Sequence, residues 1–309
     1  MLENLLKTFL ALKESQSYPW MHQHNGHAHS FHIVLSTLIH GNETGPLPAF
    51  IWALQALKSG ELSYGGRLTL LLGNPEAARK NQRFLESDLN RMFLDTTLQT
   101  HEAKRSREIR PIFDTADLLL DFHQTILPSA KPFYIFPWTK VSAQWARALA
   151  LADSGIDATP PKGPATTRCA DDYVSLRGKP AITIEMGEKG FHAEAETLAK
   201  TAIQRVLRIA DSLAQGRTTL TEYAQEQPEI ELFETVYRER YDNPQLRLRP
   251  NLINFLPIQK GEVLSAPGTP PIHAAVSGKL LFPKYPSVGS DGRPLALPKE
   301  IFRIIAKAP

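Results

Sequence analysis

Residues 33–46 read IVLSTLIHGNETGP. The run 33–39 is short, apolar and rich in β-branched residues, as a strand buried on both faces would be. It ends abruptly in a glycine-rich turn, and LPAFIWALQALKSG (47–60) follows with helical periodicity and a terminal Gly60. A buried strand, a tight polar turn and a helix make half of a parallel βαβ unit. The turn also carries a histidine and a glutamate at the place where the strand ends.

The pattern repeats outward from this stretch. RLTLLLGNP (67–75) reads as a second buried strand closed by a turn, and residues 76–110 as polar, mostly helix or loop. TADLLLDFH (115–123) and KPFYIFPW (131–138) read as strands, 143–153 as a helix, PAITIEMG (180–187) as a strand and 193–215 as a long helix rich in Ala and Leu. Apolar strands alternating with helices predict an α/β fold with a mostly parallel mixed sheet covered by helices. Beyond residue 228 the texture becomes short, alternating and broken by Pro and Gly, as in TVYRERY, LRLRP, LINFLPI and AAVSGKLLFP. That predicts a smaller β-rich C-terminal domain, 226–309, after an α/β domain, 1–225.

The 309 residues carry a formal charge of +3, with 42% hydrophobic and 22% charged residues, which suits a soluble globular protein. So mild a balance, without a basic run interleaved with aromatics, gives no case for nucleic acid and is compatible with a small anionic substrate. One cysteine, Cys169, excludes a disulfide framework and a Cys-based zinc site. MLENLLKTFLALKESQ repeats Leu at helical spacing, but Glu3, Lys7, Lys13 and Glu14 interrupt it, so it reads as an amphipathic helix rather than a signal peptide. With no apolar segment long enough to span a membrane, the cytoplasm is the expected compartment.

His40 and Glu43 lie three apart where a strand ends and a helix opens, so both can face one point. An imidazole nitrogen and a carboxylate oxygen make a zinc-type ligand pair, and a catalytic zinc takes a third protein ligand from elsewhere. His123, at the end of another predicted strand, can supply it, because strand ends of an open α/β sheet converge on one crevice. Asp121 then becomes a partner behind His123, or a turn cap. Glu185, at a third strand end, is a carboxylate of the kind that serves a hydrolase as general base, or a plain loop carboxylate. The segment 74–93 holds Arg83, Asp88, Asn90 and Arg91; it suits carboxylate binding, and equally an exposed charged helix. His22, His24, His27, His29 and His32 precede or begin the strand, roughly 20 Å or more from His40 along it, and read as a polar loop outside the site.

HGNETGP, NPEAARKNQRFLESDLNRMF, DFH and IEMG, in this order and at these separations, resemble the succinylglutamate desuccinylase/aspartoacylase family of zinc carboxypeptidase-like hydrolases. NLINFLPIQKGEVLS and SGKLLFP resemble its β-rich tail, so the likeness covers roughly residues 30–285. The resemblance implies one zinc ion per chain held by His40, Glu43 and His123. It implies Glu185 as the residue that takes a proton from water and returns it to the leaving amine. Arg83 matches the arginine that polarises the amide carbonyl, and Asn90 and Arg91 match residues that bind a substrate carboxylate. The implied substrate is a small anionic N-acyl amino acid.

The chain also departs from the pattern. Desuccinylases typically carry DLHTAIR where this chain reads DFHQTIL, so Leu127 stands in place of an arginine. Tyr285, and Arg168 or Arg177, are counterparts for a tyrosine and an arginine used by aspartoacylases, or ordinary loop residues. A carboxypeptidase or amidase acting on a peptide-like substrate, or a catalytically silent metal- or anion-binding protein, would carry the same ligand set.

Overall fold

The computed structural model describes residues 1–12, 20–94, 97–159, 168–286 and 298–308. One eleven-stranded sheet organises them, in the order β1-β3-β2-β4-β7-β5-β6-β8-β11-β10-β9. The strands are β1 (Met21–Asn25), β2 (His32–Thr37), β3 (Arg67–Leu72), β4 (Leu118–Thr125), β5 (Phe133–Phe136), β6 (Ser154–Asp157), β7 (Ala181–Glu188), β8 (Glu231–Arg240), β9 (Pro257–Ile258), β10 (Gly278–Leu281) and β11 (Glu300–Lys307). β3, β2, β4 and β7 run parallel, β5 turns the direction beside β7, and β5, β6 and β8 are parallel to one another. The helices are α1 (Leu2–Ala11), α2 (Leu47–Ser59), α3 (Pro75–Arg79), α4 (His101–Asp114), α5 (Lys140–Leu149), α6 (Ala170–Ser175), α7 (Ala193–Ala214) and α8 (Leu220–Gln225). The predicted N-terminal helix is present as α1; its residues 13–16 lie outside the described ones.

Side-chain alternation divides the central strands cleanly between two cores. Ile33, Leu35, Leu118, Leu120, Phe122, Ile182 and Ile184 pack beneath α2 and α7. Val34, Leu119 and Ala181 face the opposite core, against α4 and α6. On that second face the polar residues Ser36, Asp121, His123, Thr183 and Glu185 take over toward the C-terminal ends. The apolar runs therefore stop where the chemistry starts.

The expected boundary at 225/226 falls between α8 and β8. The C-terminal strands have a core of their own around Tyr241, Leu264, Leu280 and Phe302. Yet β8 pairs with β6 in parallel, so the β-rich part continues the same sheet instead of standing beside it.

The histidine run corrects the polar-loop reading. Met21–Asn25 is an edge strand antiparallel to β3, and His22 is buried, its Nε2 2.6 Å from the Phe9 carbonyl oxygen and its ring edge-on to that of Phe9. His32 is fully buried at the start of β2, with Nε2 2.8 Å from Thr69 Oγ1. Burial pushes its pKa down to about 4, against the Thr115 carbonyl and Asp117, with Arg67 adding to the depression. The unfolded chain binds that proton near pH 6.5, so the stabilisation is complete above that pH and is lost as the pH falls through about 4. A shift of this size corresponds to at most about 3 kcal/mol. Chemical denaturation at pH 7, 5.5 and 4 should show this loss, and His32→Gln should lack it; equal pH slopes in the two proteins would contradict the assignment.

Candidate active site

Three adjacent strands, β2, β4 and β7, deliver the site from their C-terminal ends, the position where open α/β sheets gather function. His40 and Glu43 follow β2, His123 lies on β4, and Glu185 on β7 is the register partner of His123. Paired residues of parallel strands project to the same side, so Glu185 stands beside His123, about 4.8 Å away across the ladder. The turn after β2 can make this approach because residue 41 is glycine. A Cβ there would sit 2.3 Å from Ala78 N and 2.5 Å from Ala77 C, both backbone atoms of α3. Gly41→Ala is expected to destabilise the fold by about 1–3 kcal/mol and to weaken metal binding with it. Paired denaturation and zinc titrations check this, and unchanged values would contradict it.

The ligand atoms converge. His40 Nδ1 lies 2.8 Å from Glu43 Oε1, His123 Nδ1 2.9 Å from Glu43 Oε2, and the two Nδ1 atoms are 3.2 Å apart. All three side chains are buried, and each offers an atom within 4.8 Å of the others, a group able to hold a metal ion. The outer nitrogen of each ring faces a carboxylate: His123 Nε2 lies 2.7 Å from Asp121 Oδ2, whose partner oxygen Oδ1 accepts from Ser36 Oγ, and His40 Nε2 lies 3.2 Å from Asp88 Oδ1. For His123, a carboxylate in this place fixes the ring orientation and raises the basicity of the inward nitrogen. Burial works against the Glu43 charge, but His40 and His123 outweigh it and hold its carboxyl well below the usual range. Burial likewise opposes the charge on His123, and Asp121 and Glu43 raise its pKa despite it.

Glu185 behaves in the opposite way. Burial first, and the Glu43 charge second, push its carboxyl up to about 8 against the pull of His123 and Arg83. Its Oε2 is buried and has no hydrogen-bond partner among the described residues. A carboxyl held near neutrality can both take and give a proton.

Arg83 reaches the cluster from the loop after α3, with Nη1 3.1 Å from Glu43 Oε1, Nη2 2.7 Å from His40 Nε2 and Nε 3.4 Å from Asp88 Oδ2. A feature outside the sequence reading holds this loop. Glu102, fully buried near the start of α4, accepts from the backbone N–H groups of Leu85, Glu86 and Ser87 and from Asn74 Nδ2. Gln124 is a second residue without a local sequence signal. It is buried beside His123; its Oε1 accepts from Gly45 N at 2.7 Å, and its Nε2 donates to the carbonyls of Glu188 and Gly190. It thereby ties the turns after β2 and β7 to β4.

The remaining expected residues divide. Asn90 Oδ1 accepts from Ala170 N at 2.8 Å, and Arg91 Nη1 meets the Asn90 carbonyl and Cys169 Sγ, so both lie where the 88–91 turn abuts α6. Arg168 bridges to Met92 beside them. Arg177 is engaged elsewhere, stacked on Tyr173 at 3.5 Å and bonded to Asp114. The Tyr285 hydroxyl donates to the Arg249 carbonyl at 2.6 Å and accepts from Leu252 N, which commits it to the C-terminal core. Cys169, Asp171 and Asp172 form a second close group. Burial raises the pKa of the Cys169 thiol, against the pull of Arg91.

Comparison with known proteins identifies the family. The model of the succinylglutamate desuccinylase/aspartoacylase catalytic domain matches residues 31–210. A succinylglutamate desuccinylase of Pseudomonas paraeruginosa is 30% identical over 274 residues, covering 81% of this chain and 79% of its own. In fold, the chain resembles the succinylglutamate desuccinylase of Chromobacterium violaceum, with a TM-score of 0.71 at 19% identity over 99% of this chain and 98% of the other. It also resembles murine aminoacylase 3, with a TM-score of 0.67 at 17% identity over 90% and 95%.

Proposed function

The chain belongs to the succinylglutamate desuccinylase/aspartoacylase family of hydrolases, and we propose that it is a zinc-dependent amidohydrolase that cleaves the amide bond of a small anionic N-acyl amino acid. The observation that carries this reading is the His40–Glu43–His123 cluster with Glu185 at its side. Two imidazoles and a carboxylate are the donor set of a catalytic zinc. A tetrahedral ion with bonds of about 2.0 Å needs donors about 3.3 Å apart; here the two inward nitrogens are 3.2 Å apart, each lies 2.8 or 2.9 Å from a different oxygen of Glu43, and one donor atom from each residue falls within 4.8 Å of the others. The residues fit the ion.

Bound zinc lowers the pKa of water to about 7 and polarises a carbonyl. The protein's own groups account for the rest. Glu185 accepts the proton of the attacking water at a carboxylate oxygen and delivers it to the nitrogen of the leaving amine. Arg83 donates to the carbonyl oxygen as negative charge develops there, a contribution of about 3 kcal/mol for one such donor. Asn90 and Arg91 take the substrate carboxylate, Arg91 turning from Cys169 to a partner it can grip in a bidentate fork. A cytoplasmic setting, in keeping with the single cysteine, belongs to the same proposal.

A panel of N-acyl amino acids and C-terminally free dipeptides tests it. Hydrolysis of the acyl amino acids with little turnover of the peptides is expected. Preference for the peptides would make the protein a carboxypeptidase-type amidase, and zinc binding without turnover of any amide would sink the enzymatic reading.

A further inference from the structure

One buried side chain joins the three strand ends that carry the metal cluster and Glu185. Gln124 follows His123 on β4. Its Oε1 accepts from Gly45 N at 2.7 Å and from Gly190 N at 3.3 Å. Its Nε2 donates to the Glu188 carbonyl at 2.6 Å and to the Gly190 carbonyl at 3.0 Å. Only this orientation of the amide serves two N–H groups and two carbonyls at once, and it fills every hydrogen-bonding position the amide has.

The turn after β2 is held at two points. The Gln124 backbone N–H donates to Glu43 Oε2 at 3.1 Å, and the side chain takes Gly45 N two residues further on. Glycine at 45 lets the amide approach: a Cβ there would stand 2.6 Å from Gln124 Nε2 and 2.8 Å from the Gly190 carbonyl oxygen. The end of β7 needs a tie because the ladder breaks there. His123 pairs with Glu185 and Thr125 with Glu188, so Gln124 alone stands against Met186 and Gly187, and Gly187 takes a φ of +91°. An irregularity of this kind bends the strand and leaves it locally unpaired. Glu185 sits at its start. Past it, Lys189 N donates to the Thr125 carbonyl at 2.8 Å, and the Gln124 amide adds the contacts to Glu188 and Gly190. Threonine, which stands at this place in the DLHTAIR pattern, has one hydroxyl donor on a short side chain and cannot serve both turns.

We propose that Gln124 is a positioning residue of the reaction: its amide ties the turn of Glu43 to the end of β7 and so sets Glu185 against the metal cluster. This rests on the amidohydrolase reading above. The polar atoms of the Gln124 side chain are committed to backbone groups, so it acts through Glu43 and Glu185 and not on the substrate.

The test uses the full chain at saturating zinc, and the same chain loaded with cobalt(II), whose visible absorption follows the geometry of its ligands. Gln124→Met keeps the length of the side chain and removes all four hydrogen bonds. Gln124→Asn keeps the amide but is one methylene short, so it can hold only one turn. In both variants kcat is expected to fall about 10–100-fold, the range for a group acting behind a metal site. KM should stay near the wild-type value, because Asn90 and Arg91 stand on the separate 88–91 turn. A kcat equal to that of the wild type, whatever the change in thermal midpoint, would overturn the proposal and leave Gln124 a plain structural tie. So would a loss carried by KM. Gln124→Asn decides by the same readouts if Gln124→Met does not fold. Given the loss in kcat, a shifted cobalt spectrum assigns the displacement to Glu43, and an unshifted one assigns it to Glu185. If the wild type binds cobalt but hydrolyses no amide of the panel above, the amidohydrolase reading fails, and the spectrum decides the tie to Glu43 by itself. A shift in the variants supports it, and an identical spectrum overturns it. A wild type that binds no cobalt overturns both.

Discussion

Glu185→Gln is expected to lower kcat by about 10²–10⁴-fold, the range for loss of a positioned general base, while zinc content stays at the wild-type level. The amide keeps the size and shape of the carboxyl but cannot accept the proton of water or hand it to the leaving nitrogen. The ligand cluster is held without Glu185, by Glu43 between two rings and by Asp121 and Asp88 behind them. The substitution therefore separates chemistry from metal binding. Near-wild-type turnover would remove Glu185 from the reaction, and loss of zinc would make it a ligand.

His123→Ala is expected to abolish both together. The side chain is buried, with Glu43 on one nitrogen and Asp121 on the other. Its removal leaves two buried carboxylates short of a partner, a change that costs several kcal/mol, of the order of 3–5 for a broken buried pair. Zinc affinity should fall by orders of magnitude, activity should vanish, and the thermal midpoint should drop. Asp121→Asn keeps the ring in place and should cost only about 10–100-fold in affinity. His24→Ala is the comparison: its Nε2 faces the Tyr64 carbonyl oxygen at 2.9 Å, and the variant should keep its zinc. Zinc bound normally by His123→Ala would contradict the ligand assignment.

Much of this site was legible because it is written in local signals. Buried parallel strands are apolar on both faces, so IVLSTLI, RLTLLL and DLLLDFH stand out, and the first polar residues at their ends mark the crevice. His40 and Glu43 are three residues apart, and His123 follows directly on an apolar run. What escaped is long-range or masked by composition. β1 escaped because MHQHN looks like loop, although His22 is buried edge-on against the ring of Phe9. β6 escaped because SGID is four residues long, and its Gly155 is set by Trp138, whose ring leaves no room for a Cβ. The roles of Glu102 and Gln124 depend on backbone groups far away in sequence. So does the pairing of β8 with β6, which joins the C-terminal strands to the sheet. Tyr285 is suggested by resemblance alone, and its hydroxyl is committed to Arg249 and Leu252.

His40, Glu43 and His123 are proposed to hold one zinc ion on which amide hydrolysis depends. Titrating the metal-stripped protein with zinc, while following both bound metal and hydrolysis of an N-acyl amino acid, tests it most directly. Activity should rise in proportion to bound metal and level off at one zinc per chain. Full activity in the stripped protein, or saturation with zinc that brings no activity, would contradict it.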